Sequence, residues 1–157
     1  RETVTEAVAI SAIKYSILKQ APGRDIIFDL AKSLSFEGDS GPYLQYSYVR
    51  ARAVIEKGIA ENILPNLEQG LIEINELEKH LTCFPEIVAR STTLYAPNLL
   101  VAYLTELASS FNAYYATQKI VDPTDPQAPY RLALTTAFSH IMKSGLTLLA
   151  IPVLEKM

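Results

Sequence analysis

Prolines interrupt a long stretch of helical periodicity in this sequence. Pro42, Pro65, Pro85, Pro97 and Pro129 each stand at or next to the start of a segment whose apolar residues recur at helical spacing. Proline suits the first position of a helix, because the N–H group that it lacks would have no partner within the helix. Strand patterns are scarce. The sequence therefore predicts an all-α fold, an antiparallel helical bundle preceded by an N-terminal helical arm.

The prolines and the apolar spacing set the expected helix boundaries. Helices are predicted over residues 5–19, 42–57, 66–81, 86–95, 98–119 and 129–149. We expect Gly58 to end the second helix and Gly145 to permit close helix packing within the last. The apolar stretch 25–34 is compatible with a strand or a helix. Residues 1–41 are assigned to the arm, and residues 42–157 to the bundle.

Two of these helices carry apolar residues that we expect to face the core, since side chains three or four positions apart share a helix face. In the first helix they are Ala7, Ile10, Ile13, Ile17 and Leu18. In the fifth helix they are Leu100, Tyr103, Leu104, Leu107, Phe111 and Tyr114.

The composition is that of a folded, globular protein. The chain has 157 residues, of which 49% are hydrophobic, and a chain of this size can form a core without disulfides. The single cysteine, Cys83, excludes an internal disulfide and any metal site built from several thiolates. It suggests a reducing, cytoplasmic setting. No apolar run reaches the ~18 residues of a membrane span, and the N-terminus shows no signal-peptide pattern.

Charge is unevenly distributed along the chain. The net charge of −3 argues by itself against nucleic acid as a partner. However, residues 61–90 carry a net charge of −4, whereas residues 129–157 carry +2 and also contain His140. A local basic patch can attract phosphate groups on a protein that is acidic as a whole. Arg131 and Lys143 in the C-terminal segment are candidates for such attraction.

The sequence shows no set of residues that is typical of catalysis. It has no glycine-rich phosphate loop between a strand and a helix. His80 and Cys83 are too few for a metal site, which needs about three or four ligands, and His140 has no acid at triad spacing. We therefore predict no catalytic residue, no metal and no cofactor in this chain. A helical binding module is expected.

Residues 37–46 form the most specific motif in the sequence. They read EGDSGPYLQY and are followed by Arg50 and Arg52. This segment resembles the EGNTGPYLQY stretch of arginyl-tRNA synthetases. Upstream, the AIKY segment at 12–15 and the IIFD segment at 26–29 are similar to that family's AIKY and YIFDW segments, in the same order.

The C-terminal half resembles the helical domain called DALR. The matching segments are APNLL at 96–100, FNAYY at 111–115, RLAL at 131–134 and EKM at 155–157. Ala150 stands where the family usually has glycine. DALR domains also occur in glycyl- and cysteinyl-type synthetases, but the EGDSGPYLQY segment favours arginine.

The resemblance implies that the chain is the C-terminal, anticodon-binding part of an arginine–tRNA ligase. That enzyme attaches arginine to tRNA(Arg) with ATP and Mg²⁺. Neither a HIGH-like nor a KMSKS-like motif occurs here, so we expect the chain alone to be inactive. The expected partners are the tRNA(Arg) anticodon loop and the catalytic domain of the same protein, without DNA or a membrane, in a cytoplasmic monomer. The alternatives are a helical protein–protein docking module and a DALR domain of another synthetase.

Candidate site residues follow from helical spacing and from the resemblance. Tyr43, Ser47 and Arg50 are spaced so that one helix face carries a ring, a hydroxyl and a guanidinium. The resemblance implies that Tyr43 and Met157 contact the anticodon. It also implies a contact from either Arg50 or Arg52, and another from either Tyr114 or Tyr115. Packing is the alternative role for the tyrosines, and ion pairing on a solvated face is the alternative for the arginines.

Overall fold

The computed structural model describes residues 2–68 and 74–157, which form helices joined by turns and loops. The helices are α1 (Glu2–Leu18), α2 (Leu30–Ser33), α3 (Gly41–Ala60), α4 (Glu76–Thr82), α5 (Phe84–Thr93), α6 (Pro97–Thr117) and α7 (Ala128–Leu148). No strand occurs in these two ranges, and the predicted all-α helical bundle is confirmed. None of the described helices is long and apolar enough to cross a membrane.

Helices α3, α6 and α7 form the centre of the bundle. The rings of Phe111 on α6 and Phe138 on α7 stack with their centroids 4.0 Å apart. Leu44 of α3 is fully buried in the same core. The apolar stripe predicted for α6 is buried from Leu100 to Phe111, whereas Tyr114 is only half-buried at the edge of the core.

Two glycines let the central helices approach closely. A Cβ on Gly58 would lie 2.6 Å from Cδ2 of Leu132 on α7, and a Cβ on Gly145 would lie 2.5 Å from Cδ2 of Leu104 on α6. Carbon atoms in packed interiors do not approach that closely. The close packing predicted at Gly145 is therefore confirmed. The prediction that Gly58 ends its helix is wrong, because this glycine serves packing inside α3.

The C-terminus of α3 is capped around Asn62. This residue has a φ of 59°, in the left-handed region that asparagine tolerates better than most residues. The N–H of Asn62 donates to the carbonyl of Ile59 at 3.0 Å, and the N–H of Ile63 donates to the carbonyl of Gly58 at 2.9 Å. This pairing is the Schellman motif, which satisfies the last carbonyls of a helix.

The buried face of α1 is not the predicted isoleucine stripe. Ser11 and Tyr15 are buried against the bundle, whereas Ile13 and Ile17 are 50% and 45% exposed. The prediction is therefore wrong for these two isoleucines. A small side chain is needed on the buried face because α3 begins very close to α1: a Cβ on Gly41 would overlap the Ser11 carbonyl.

The helix predicted over residues 66–81 is shorter in the structure. Its described helical part is α4, which begins at a capping box between Asn75 and Glu78. Residues 66–68 are not helical, and residues 69–73 lie outside the described ranges. Because the two side chains of a capping box satisfy N–H groups of the first turn, they favour a helix start at this point.

The ambiguous segment 25–34 contains one short helix and no strand. Residues 25–29 have no regular structure and are exposed. Asp29 then caps α2, because its Oδ1 accepts a hydrogen bond of 3.1 Å from the backbone N–H of Lys32.

Candidate nucleic-acid interface

The first turn of α3 is held by the loop that precedes it. Ser40 caps the helix, since its Oγ accepts a hydrogen bond of 3.1 Å from the backbone N–H of Tyr43. The neighbouring Asp39 accepts from the Tyr15 hydroxyl at 2.7 Å and from the Lys19 ammonium at 3.1 Å. These contacts hold the start of α3 against α1 and thereby fix the position of Tyr43.

The side-chain amide of Asn112 on α6 joins three side chains of α3. Its Oδ1 accepts from Nη1 of Arg50 at 2.6 Å. Its Nδ2 donates to the Tyr43 hydroxyl at 3.0 Å and to Ser47 Oγ at 2.9 Å. Arginine has no acceptor, so the amide oxygen must face Arg50. Ser47 donates its own proton to the carbonyl of Tyr43 at 2.9 Å, which leaves its oxygen as the acceptor for Asn112.

The guanidinium of Arg50 lies between two tyrosine rings. Its Cζ is 4.7 Å from the ring centroid of Tyr46 and 5.1 Å from that of Tyr115, within the range of cation–π attraction. Its Nη2 also donates to the Tyr46 hydroxyl at 3.0 Å. Within the described residues, no carboxylate lies at ion-pair distance from Arg50. We call Tyr43, Tyr46, Arg50, Asn112 and Tyr115 the tyrosine–arginine cluster.

The chemistry of the cluster suits binding of planar, anionic ligands. Tyr46 and Tyr115 are both partly exposed, so each ring keeps accessible surface that a base could contact. The guanidinium can present a planar pair of N–H groups to phosphate or to a base. In the part of the chain that the structure describes, no group of three or more His, Cys, Asp or Glu side chains could hold a metal ion.

A shallow cavity continues from Tyr115 past two exposed lysines. Lys57 and Lys119 line it. Each is paired within its own segment, Lys57 with Glu61 at 3.8 Å and Lys119 with Asp122 at 2.8 Å. The Lys119 ammonium holds the pKa of Asp122 well below its usual range. The side chains of Lys57 and Lys119 are themselves 63% and 73% exposed, so both lysines can also contribute positive potential to a bound phosphate backbone.

Arg52 lies on the other side of α3 from Arg50, because two positions along a helix correspond to more than half a turn. Its Nη2 is 3.6 Å from a carboxylate oxygen of Glu56 and 3.6 Å from one of Glu155. The structure therefore brings Arg50 into the cluster and gives Arg52 the predicted alternative, ion pairing on a solvated face.

The ion pair between Arg52 and Glu155 connects α3 to the C-terminal tail. Nε2 of Gln45 also donates a hydrogen bond of 2.7 Å to the carbonyl of Pro152. The tail thus follows the face of α3 that lies away from the cluster. Met157 at its end is 42% exposed, so its side chain is accessible to a ligand.

Of the two adjacent tyrosines near the end of α6, Tyr115 belongs to the cluster and Tyr114 does not. Tyr114 packs against the core, and burial raises the pKa of its hydroxyl to about 12. That hydroxyl oxygen is buried without a hydrogen-bond partner among the described residues. The ring of Tyr115 is instead 43% exposed beside Arg50.

Arg131 and Lys143, the two candidates for phosphate attraction, do not join the cluster. Nη1 of Arg131 donates to Oδ2 of Asp125 at 2.6 Å and to the carbonyl of Lys119 at 3.1 Å. Lys143 lines a mainly apolar cavity next to Phe84 of α5. Arg131 is thus engaged within the protein, and Lys143 lies on a different surface.

Asn112 and Tyr46 are the two cluster residues that the sequence-based site prediction missed. Helical spacing from a predicted site residue could have indicated both: Tyr46 precedes Arg50 by four positions, and Asn112 precedes Tyr115 by three. Residues at these spacings are neighbours on a helix surface. The hydrogen bonds between α3 and α6 carry no comparable signal in the sequence.

Comparison with known proteins identifies the family to which this chain belongs. The model of the family described as the DALR anticodon binding domain matches residues 44–157. The chain belongs to this DALR family. The resemblance seen in the sequence is thereby confirmed.

Relatives of this DALR chain are arginine–tRNA ligases. It is 37% identical over 161 residues to that of Streptococcus suis and 36% identical over 158 residues to that of Methanospirillum hungatei, and both alignments cover 100% of the chain and 28% of the relative. The Thermus thermophilus arginyl-tRNA synthetase superposes with a TM-score of 0.83 at 36% identity, over 96% of this chain and 27% of that one. The Plasmodium falciparum enzyme superposes with a TM-score of 0.81 at 27% identity, over 99% and 28%.

The chain therefore spans about 28% of the length of the relatives that it matches. Their identity as arginine–tRNA ligases favours that family over other DALR-containing synthetases and over an unrelated docking module.

Proposed function

We propose that the tyrosine–arginine cluster binds the anticodon loop of tRNA(Arg), as part of an arginine–tRNA ligase that is longer than this chain. The observation that carries this proposal is the set of side chains that surround the guanidinium of Arg50. It is a cation without a carboxylate partner among the described residues, and Asn112 holds it between the rings of Tyr46 and Tyr115. Proteins read unpaired RNA loops by stacking bases on such rings and by hydrogen bonding to base edges.

Stacking and charge would both contribute to the affinity. Stacking of a base on an aromatic ring contributes about 1–3 kcal/mol, and the cluster offers the rings of Tyr43, Tyr46 and Tyr115. Arg50 would bind a phosphate or a base through its planar N–H groups. The N-terminus of α3, close to Tyr43, adds a partial positive charge that also favours phosphate.

The genetic code supplies the base that such a site has to recognise. Every arginine codon has G in the middle, so every arginine anticodon has C there. We therefore propose that the middle cytosine is splayed onto the cluster, with the exposed lysines Lys57 and Lys119 as further contacts around it. Met157, at the end of the C-terminal tail, would contact another part of the RNA.

The chemistry of aminoacylation belongs to the remainder of the longer protein. In that protein, ATP and Mg²⁺ would be bound by a catalytic domain that contacts this DALR bundle, and arginine would be attached to tRNA(Arg) there. We propose a monomer that acts in the cytoplasm, where tRNA is charged.

The decisive experiment is a binding titration of the 157-residue chain at low salt. The ligands are an anticodon stem-loop of tRNA(Arg) and the same stem-loop with its middle C changed to G. We expect tighter binding of the loop with C. Equal, salt-sensitive binding would show that the domain holds only the RNA backbone, and absence of binding to both loops would contradict the proposal.

The variant Arg50→Ala is the matched test of the cluster, with Arg90→Ala as the control. Arg90 is an exposed arginine on α5, outside the cluster. Loss of the preference for C in Arg50→Ala alone would place recognition at the cluster, whereas equal effects of both changes would indicate unspecific attraction of RNA.

A further inference from the structure

Three oxygens of the tyrosine–arginine cluster already accept a hydrogen bond inside the protein. Oδ1 of Asn112 accepts from Arg50. The hydroxyl oxygen of Tyr43 accepts from Asn112, and the hydroxyl oxygen of Tyr46 accepts from Arg50. The hydroxyl of the neighbouring Ser47 likewise accepts from Asn112 and donates to a backbone carbonyl.

Several hydrogen-bond donors of the cluster have no acceptor among the described residues. No group in residues 2–68 and 74–157 accepts the hydroxyl proton of Tyr43 or of Tyr46. Arg50 uses two of its N–H-bearing nitrogens in the contacts to Asn112 and Tyr46, and a guanidinium carries further N–H groups and no acceptor. The cluster therefore presents O–H and N–H groups to a ligand.

We propose that the tyrosine–arginine cluster selects hydrogen-bond acceptors on the RNA, and that Asn112 is the positioning residue that fixes this polarity. This inference rests on the proposed anticodon binding. The ligand atoms with matching chemistry are the O2 and N3 atoms of an unpaired cytosine, or the oxygens of a backbone phosphate. The exocyclic amine of cytosine is a donor and does not match these O–H and N–H groups.

The polarity of the cluster would separate cytosine from two other bases. At the Watson–Crick edge, cytosine places the acceptor N3 beside the acceptor O2, whereas uracil carries an N3–H donor and guanine an N1–H donor. Two donors that face each other leave both unpaired, which is unfavourable in a partly desolvated site.

Asn112 sets the polarity because its orientation is dictated by Arg50. With its oxygen bound to a guanidinium that can only donate, the amide must turn its N–H groups toward Tyr43 and Ser47. The Tyr43 oxygen is thereby made an acceptor toward α6, and its proton is left for the ligand. A carboxylate in place of the amide would accept from Tyr43 and remove that proton from the ligand.

The test uses atom-level changes in the RNA. The 157-residue chain is titrated with stem-loops that carry, at the middle position, cytosine, 3-deazacytosine (C–H in place of N3) or pyrimidin-2-one (cytosine without its amine). A fourth loop carries cytosine with methylphosphonates in place of the flanking phosphates. Loss of one neutral hydrogen bond corresponds to about a three- to tenfold weaker affinity.

If the base is the source of the acceptors, 3-deazacytosine binds about three- to tenfold more weakly and pyrimidin-2-one binds like cytosine. If phosphate is the source, only the methylphosphonate loop is weakened. A loss confined to pyrimidin-2-one would overturn the proposal, because it would show that the site reads a donor. Absence of binding to any of the loops would overturn the proposed anticodon binding together with this inference.

Protein variants assign the effect to named atoms. Tyr43→Phe should remove the discrimination against the acceptor-deleted loop, because both loops then lack that hydrogen bond. Asn112→Asp should also remove this discrimination, although Arg50 retains a partner. The control is Ser109→Ala, at an exposed position of α6, which should leave the discrimination unchanged. Circular dichroism checks that both variants are folded. If folded Tyr43→Phe and folded Asn112→Asp still discriminate between cytosine and the acceptor-deleted loop, the polarity set by Asn112 is not used.

Discussion

The side-chain amide of Asn112 on α6 donates a hydrogen bond of 3.0 Å to the hydroxyl of Tyr43 in the first turn of α3. The same amide accepts from Arg50 two turns further along α3. One residue of α6 therefore sets the relative positions of a ring and a cation on α3. Preorganisation of this kind lowers the entropy that binding must otherwise overcome.

We predict that Tyr43→Ala weakens binding of the anticodon stem-loop by about 1–3 kcal/mol, the contribution of one stacked base. Because Tyr43 also packs against the core, a somewhat lower melting temperature is expected, and binding is measured well below it. The control is Tyr95→Ala, since Tyr95 is 87% exposed between α5 and α6. Equal affinities of the two variants would remove Tyr43 from the site.

Arg50 and Arg52 should differ in their contribution to the salt dependence of RNA binding. If Arg50 neutralises one phosphate, Arg50→Ala reduces the slope of log K against log salt concentration by about 0.7, the value for single strands. Arg52 is paired with Glu56 and Glu155, so Arg52→Ala should leave the slope nearly unchanged. The measurement is a series of titrations between low and physiological salt. A larger change in Arg52→Ala would reverse the assignment.

Deletion of Met157 should lower RNA affinity without lowering stability. The tail is fixed upstream by Gln45 and Arg52, and Met157 itself is partly exposed at its end. Little packing is therefore lost when it is removed. Stem-loop titration and thermal unfolding of the shortened chain check both parts. An unchanged binding curve would exclude a role for Met157 in binding.

Ala150→Gly should stabilise the fold by about 1 kcal/mol. Ala150 follows α7 with a φ of 53°, a conformation that penalises a Cβ. The N–H of Ala150 donates to Thr147 and that of Ile151 donates to Leu146, both at 2.9 Å, which is the Schellman pattern that usually has glycine at this position. Chemical denaturation provides the measurement. A loss of stability would indicate that the Ala150 methyl group contributes packing that outweighs the backbone strain.

Several features of this chain follow from local sequence alone. The proline positions and the apolar spacing predicted an all-α protein, and five helix starts lie within a few residues of their predicted positions. The stripe of α6 from Leu100 to Phe111 was predicted as core and is buried. The motifs at residues 37–46 and 96–157 were sufficient to indicate the family. Helical periodicity, capping and turn chemistry act over a few residues, so a sequence contains them directly.

Tertiary packing decided the rest. Whether α1 buries Ile13 or Tyr15 depends on how closely Gly41 lets α3 approach, and whether Gly58 ends a helix depends on Leu132 lying against it. Arg50 and not Arg52 joins the cluster because of the rotation of α3 about its axis. In the same way, the rotation of α6 places Tyr115 and not Tyr114 in the cluster. Asn112 meets Tyr43 across 69 positions of sequence. Such contacts exist only after the helices have docked, because the rotation and spacing of each helix minimise the free energy of the whole core.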